Sequence, residues 1–281
     1  KAVHQFGLNS KQNFLLNINI FSKFKINQKI EETVSYIGPF RTWEEACLNS
    51  TGYKASDILD KKIRSLKQIL SGAKKCERDT ILFAEYQYSF PVLLGLNFAM
   101  LHQKRNLSVL DYGGGLASTF FRNFEIIKGL GFCWTIIEQK HIVDVANKML
   151  GKIPNLKFLN LSDLTKQKDI SYDVLIFGSS LQFMENPKDL VAKLYHDKLQ
   201  SIVFEQIPFM EKGPTRLTVQ QVKEPIYNAS YPAWHFNENE LHSWIDKAFV
   251  KKLRTVNPHV TNSFGDFHSN LIDLVYMRET T

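Results

Sequence analysis

The chain has 281 residues, 44% hydrophobic, 12% aromatic and 22% charged, which excludes a disordered, collagenous or coiled-coil chain and allows one large domain or two small ones. Its formal charge of +7 admits nucleic acid, an anionic membrane or a phosphorylated substrate as partner. Residues 1–78 hold 14 Lys and Arg against 7 Asp and Glu, and residues 79–281 hold 21 of each sign, so the whole excess belongs to the N-terminal quarter.

Along the chain, residues 16–20 and 24–26 alternate apolar and polar side chains, which predicts a half-buried strand or extended arm. Residues 36–40 (Tyr-Ile-Gly-Pro-Phe) read as a turn, and Thr42 with Glu45 as a capping box opening a short helix. Ile58, Leu59, Ile63, Leu66, Ile69 and Leu70 have helical spacing, and residues 90–101 form a second, nearly all-apolar helical pattern. Residues 1–105 are therefore expected to be mostly helical, with a basic surface.

From Asn106 short apolar runs alternate with amphipathic stretches. Strands are predicted at 107–112, 132–138, 156–161, 172–178, 201–206, 250–256 and 271–277. Helices fall between them, two of them opened by Asn186-Pro187 and by Asn237 with Glu240. Residues 207–236 read as irregular and 258–270 as a polar loop. The alternation predicts an α/β fold of parallel strands with crossover helices on both faces, carried by residues 106–281. Cys47, Cys76 and Cys133 are widely spaced and match neither a disulfide framework nor a zinc site. No apolar run reaches the ~20 residues of a membrane-spanning helix. A reduced, cytoplasmic setting is the expectation.

The sharpest motif is Leu110-Asp111-Tyr112-Gly113-Gly114-Gly115-Leu116-Ala117, where a strand ends in an acid and turns on glycines into a helix. Ligands of open parallel sheets bind beyond the carboxyl ends of the strands, and glycine lets the backbone approach them closely. A dinucleotide site calls for Gly-x-Gly-x-x-Gly/Ala; here Ser118 takes the third position, and the carboxylate of Asp111 disfavours a nearby pyrophosphate. S-adenosylmethionine carries an ammonium and a sulfonium and no phosphate, so Asp111, Gly113 and Gly115 favour it as cofactor. Glu138 ends the second strand, near the ~20-residue spacing of a ribose-binding acid, where it can accept from both hydroxyls. Asp163 follows the third strand, where adenine would lie. Ser179 and its small neighbours leave room for the methionine part, and Gln182 is placed to contact ligand or acceptor.

These motifs resemble class I S-adenosylmethionine-dependent methyltransferases. With Gly52-Tyr53, Glu77-Arg78-Asp79, Leu82-Phe83, Gln220 and the run from Ile226-Tyr227 through Ser230-Tyr231-Pro232 to Trp234, the chain from about residue 36 onward is similar to a methyltransferase family found among bacterial surface-polysaccharide genes. Ala117 stands where that family tends to have glycine. The resemblance implies a Rossmann-like, seven-stranded, mostly parallel sheet whose last strand is antiparallel, and a helical N-terminal extension (1–105) closing over the site of the 106–281 domain. It also implies that Arg78 pairs with the cofactor carboxylate.

A sulfonium methyl is displaced in line, so alignment and desolvation supply much of the rate. A hydroxyl acceptor also needs a base; His235 is the first candidate and His268 the second. Tyr227, Tyr231 and Trp234 are candidates for the acceptor wall. No metal-ligand spacing is present. The expected activity is O-methylation of a saccharide in surface-glycan biosynthesis, the acceptor being anionic if the basic N-terminal region meets a nucleotide sugar or lipid-linked glycan. That region could equally meet a membrane surface. RNA is disfavoured, because the charge-balanced half lacks basic clusters interleaved with aromatics. A methyltransferase on another small molecule, a non-catalytic binding module and a dinucleotide oxidoreductase are the alternatives.

Overall fold

The computed structural model describes residues 33–52, 56–103, 105–166 and 171–279. The alternating stretch of 16–26 and Tyr53 lie outside them. In chain order the elements are β1 (Val34–Phe40), α1 (Trp43–Leu48), α2 (Ser56–Leu70), β2 (Cys76–Arg78), β3 (Ile81–Phe83), α3 (Phe90–His102) and β4 (Leu107–Tyr112). Next come α4 (Ser118–Ile127), β5 (Phe132–Ile137), α5 (Lys140–Leu150), β6 (Leu156–Leu159), α6 (Leu161–Lys166), β7 (Val174–Gly178), α7 (Pro187–Leu194) and β8 (Ser201–Met210). The chain closes with β9 (Arg216–Val222), β10 (Ala229–His235), α8 (Glu238–Ser243), β11 (Phe249–Phe264) and β12 (Phe267–Arg278).

The central sheet has seven strands in the order β6-β5-β4-β7-β8-β12-β11. β6, β5, β4, β7 and β8 are parallel, and β12 runs antiparallel to both of its neighbours. The Rossmann-like arrangement with a reversed last strand is thus borne out. The chain winds outward from β4 to β6 and then crosses to β7 on the other side of β4, which makes the β4/β7 boundary the switch point where a crevice opens.

Both faces of the sheet are covered, as parallel sheets require. Val109, Val174, Ile176 and Val203 point to a cluster with α3, α4 and α5, while Leu110, Leu175, Phe177 and Phe204 point to one with α7 and α8. The nearly all-apolar α3 packs on the first face. A Cβ on its Gly95 would stand 2.6 Å from Val203 Cγ2, so this approach requires glycine. Ser201 Oγ donates to the Gly95 carbonyl at 3.0 Å.

The rest of the architecture differs from the sequence expectation. The 36–40 segment is not a turn but part of β1. It pairs antiparallel with β9, and β9 with β10, forming a separate three-stranded sheet over the carboxyl edge of the main one. The span 207–236 is therefore mostly strand, and residues 33–105 are mixed rather than mostly helical. The polar 258–270 stretch extends β11 and β12 into a hairpin closed by Gly265-Asp266. Thr42 Oγ1 and Asn237 Oδ1 do cap their helices, accepting from Glu45 N and Glu240 N at 3.1 Å each.

Candidate active site

A cavity of about 1370 Å3 opens at the carboxyl ends of β4, β5, β7 and β8, beneath α2, the β2–β3 turn and the small sheet. It exceeds the roughly 300–1,000 Å3 of a typical single-ligand pocket, so two reactants fit.

The glycine turn forms its floor. Gly113 N donates to Ile137 O at 2.8 Å. Gly113 and Gly115 hold φ of 75° and 60°, where L side chains are strained. A Cβ on Gly113 would meet Ser180 at 2.5 Å, and one on Gly115 would stand 3.2 Å from Lys62 Nζ. Ala117 takes φ 69° just before α4, and no side chain caps that helix, so its first N–H groups face the turn. Alanine here keeps the left-handed conformation of the expected glycine at a cost of about 1 kcal/mol.

Glu138 lines the cavity at the end of β5, its Oε1 accepting from Gly115 N at 3.1 Å and its Oε2 from Gln139 N at 2.9 Å. Two backbone donors thus aim both carboxylate oxygens beside the glycine turn. Beyond β7, Ser179 and Gln182 also line it. Ser179 N donates to Glu205 O at 2.9 Å, and the buried Gln182 Oε1 has no partner among the described residues. A buried acceptor left unpaired is costly, so this atom marks a place for a ligand donor.

Charge enters from β8 and α4. The buried Glu205 and Arg122 form a two-point ion pair, Nη2 to Oε1 at 2.9 Å and Nη1 to Oε2 at 3.2 Å, and Arg122 Nε donates to Gln87 O at 2.9 Å. Burial alone would raise the Glu205 carboxyl, but Arg122 and Arg78 outweigh it and hold it below the usual carboxylate range. Glu77 also lines the cavity. Burial pushes its carboxyl up, against the opposing pull of Lys62 and of hydrogen bonds from Ser118 and Thr80. Arg78 lines the cavity on the Glu205 side.

The opposite wall is aromatic and amide-rich. Tyr227 and Tyr231 lie 3.0 Å apart, hydroxyl to hydroxyl, with Phe183 edge-on to Tyr231. Gln206, Gln220, Asn257 and Asn262 complete this wall. Among the described residues, the parts of the cavity wall from β1, β9, β10, β11 and β12 carry no charged side chain.

Other expected site residues lie elsewhere. Asp111 does not line the cavity; its carboxylate sits beneath Gly114, with Oδ2 accepting from Trp134 Nε1 at 3.3 Å and Oδ1 unpartnered. Burial raises its pKa to about 7, with Glu205 and Glu138 adding to the rise. Asp163 pairs with Lys166 at 3.3 Å and with Asn160, while Asn160 and Ser162 line the cavity in its place. Trp234 stacks on Trp43 at 6.1 Å and donates to Met184 O at 3.0 Å, outside the cavity wall.

Neither candidate histidine reaches the cavity. His235 is fully buried between the rings of Tyr36 and Phe264, its Nδ1 2.6 Å from Ser269 Oγ. Burial lowers its pKa to about 3. His235 shares the face of β10 that carries Tyr231 but lies four residues further along, past the cavity. His268 is exposed on β12, 3.0 Å from Ser263 Oγ. The sequence reading also passed over Arg122 and Lys62. Each had a signal, a cation in an otherwise apolar helix stripe: Arg122 among Phe120, Phe121 and Phe124, and Lys62 between Ile58 and Leu66.

Among the described residues, no group of His, Cys, Asp and Glu is arranged to hold a metal, and no helix is long and apolar enough to cross a membrane. No family model matches the chain, and no curated protein matches it. Among solved structures, it is similar to the 1,6-didemethyltoxoflavin-N1-methyltransferase of Burkholderia thailandensis with bound 1,6-didemethyltoxoflavin and S-adenosylhomocysteine, at 14% identity over 88% of this chain and 95% of that one, TM-score 0.43. It is also similar to a S-adenosylmethionine-bound amino pentose methyltransferase from Micromonospora echinaspora (9% identity, 67% and 90% covered, TM-score 0.40). A third is human N-acetylserotonin methyltransferase in complex with S-adenosylmethionine (12% identity, 79% and 55% covered, TM-score 0.43).

Proposed function

We propose that the protein is a S-adenosylmethionine-dependent methyltransferase acting on a saccharide hydroxyl of a surface glycan or its precursor. The observation that carries this is the joining of the glycine turn to Glu138. Glycine lets the turn pack against Ser180 at Gly113 and keeps the cavity floor bare at Gly115, and a carboxylate aimed by two N–H groups offers two acceptors beside it. That pairing suits a ribose diol with no phosphate attached.

The lining residues fit the cofactor. Glu138 would hold the ribose, Asn160 and Ser162 lie where adenine is expected, and the unpaired Gln182 Oε1 offers an acceptor to an ammonium or to the acceptor's hydroxyl. The cofactor would supply an electrophilic methyl on a good leaving group. The chain's own task is to align the acceptor, exclude water and take one proton. The histidines being elsewhere, that proton falls to a lining carboxylate. Glu77, raised by burial, is a better acceptor than Glu205, which Arg122 keeps ionised. Tyrosine faces beside neutral amides suit an uncharged, hydroxyl-rich ring. An anionic portion of the acceptor would find no cation on that wall among the described residues.

Calorimetric titration with S-adenosylmethionine, S-adenosylhomocysteine and NAD tests the reading. The first two should bind and NAD should not. Glu138→Ala should weaken both by about tenfold or more, since two hydrogen bonds to a charged acceptor go. NAD binding in their place would favour an oxidoreductase.

A further inference from the structure

We infer that Lys62 is the residue that reads the cofactor's amino-acid carboxylate, from above the uncapped N-terminus of α4. This rests on the S-adenosylmethionine reading. α2 forms a roof over the glycine turn and is fixed from both sides. Ile58 and Leu66 are buried, Ser65 Oγ donates to Thr80 O at 3.1 Å, and Lys61 Nζ bonds Glu224 at 2.5 Å and Ile226 O at 3.0 Å. Lys62 lies four residues from both Ile58 and Leu66, so it shares their inward stripe. Its ammonium reaches the space directly above Gly115.

Two positive features therefore converge on one small volume: the ammonium of Lys62 from above and, from below, the dipole at the N-terminus of α4, which no side chain caps. The carboxylate is the only anion S-adenosylmethionine has. Its other polar groups meet different partners, the diol at Glu138 and the ammonium at the unpaired Gln182 Oε1. Arg78, which the sequence suggested for the carboxylate, also lines the cavity, and its charge helps hold the Glu205 carboxyl down.

The test compares S-adenosylhomocysteine with 5′-methylthioadenosine, which keeps the adenosine and the sulfur but lacks the amino-acid head. Lys62→Met should weaken S-adenosylhomocysteine by about tenfold or more while changing 5′-methylthioadenosine by less than about twofold. Lys62→Arg should restore most of the loss. Lys62→Gln, which keeps a polar end on the helix, makes the same comparison should the methionine variant not fold. Equal loss for both ligands, or loss for neither, overturns the assignment while leaving the cofactor reading intact. Wild-type protein that binds neither S-adenosylmethionine nor S-adenosylhomocysteine overturns the cofactor reading itself, and the assignment with it.

Discussion

Replacing Arg122 by methionine removes the cation but keeps the length and apolar stem of the side chain. Three hydrogen bonds disappear, two to Glu205 and one to Gln87 O. The larger consequence is a carboxylate left buried without its main partner, since Glu205 is only 5% exposed. Breaking a buried pair from one side costs about 3–5 kcal/mol. At about 2 °C per kcal/mol for a chain of this size, the melting temperature should fall by about 6–10 °C. The defect should shrink as pH is lowered, because a protonated Glu205 no longer needs a cation. In wild type the sign is opposite. The depressed Glu205 pKa contributes stability that is fully present above the unfolded carboxyl's range and is lost as pH falls through the folded value. The double variant Arg122→Met/Glu205→Gln should recover part of the loss. Differential scanning calorimetry at pH 5 and pH 7.5 reads all of this. An Arg122→Met protein within about 1 kcal/mol of wild type at pH 7.5 would refute the reasoning.

His235, held neutral with its pKa lowered from 6.5 to about 3, should cost the protein about 1.4 kcal/mol per pH unit as pH falls from 6.5 toward 3. His235→Phe should flatten that part of a stability–pH curve and leave S-adenosylhomocysteine affinity within about twofold by calorimetry. Asp111 has the opposite sign: its raised pKa favours the fold below the unfolded value of 3.8, and that contribution is lost as pH rises through about 7. Asp111→Asn should therefore raise the melting temperature of ligand-free protein at pH 8, with the gain fading near pH 4. Glu77→Gln should lower kcat by about a hundredfold or more with a much smaller change in S-adenosylhomocysteine affinity, once labelled S-adenosylmethionine has revealed an acceptor.

The main sheet was legible because four of its five parallel strands, β4, β5, β6 and β7, are short apolar runs each followed by a helix. The turn at Gly113–Gly115 and the acid Glu138 were legible because their spacing is local. The small sheet was not. Pro39 and Pro232 argue against strands, yet β1 and β10 are the edges of their sheet, where proline is tolerated. Pro208 lies on β8 past its last pairing with β7 at Glu205. The outer β11–β12 hairpin runs through Asn257, Pro258, Asn262 and Asn270, residue types depleted in strands.

The site followed the same division. Residues fixed by the backbone of the turn and by the strand ends, Gly113, Gly115, Glu138, Ser179 and Gln182, line the cavity. Those that depend on how far along an element the cavity reaches, or on what folds over them, do not all do so. β10 carries Tyr231 and His235 on one face, yet Tyr231 lines the cavity and His235, four residues on, packs in a separate apolar pocket. Asp111 shows a subtler effect. Its position at the strand end is as read, but the glycine turn folds over it, so its carboxylate supports the turn from beneath.

Crystals of the full chain with S-adenosylhomocysteine test the central claim most directly. The account predicts ligand density over the glycine turn, with the ribose diol on the Glu138 carboxylate and the amino-acid carboxylate between Lys62 and the start of α4. A ligand bound elsewhere, or a ribose that makes no contact with Glu138, would contradict it.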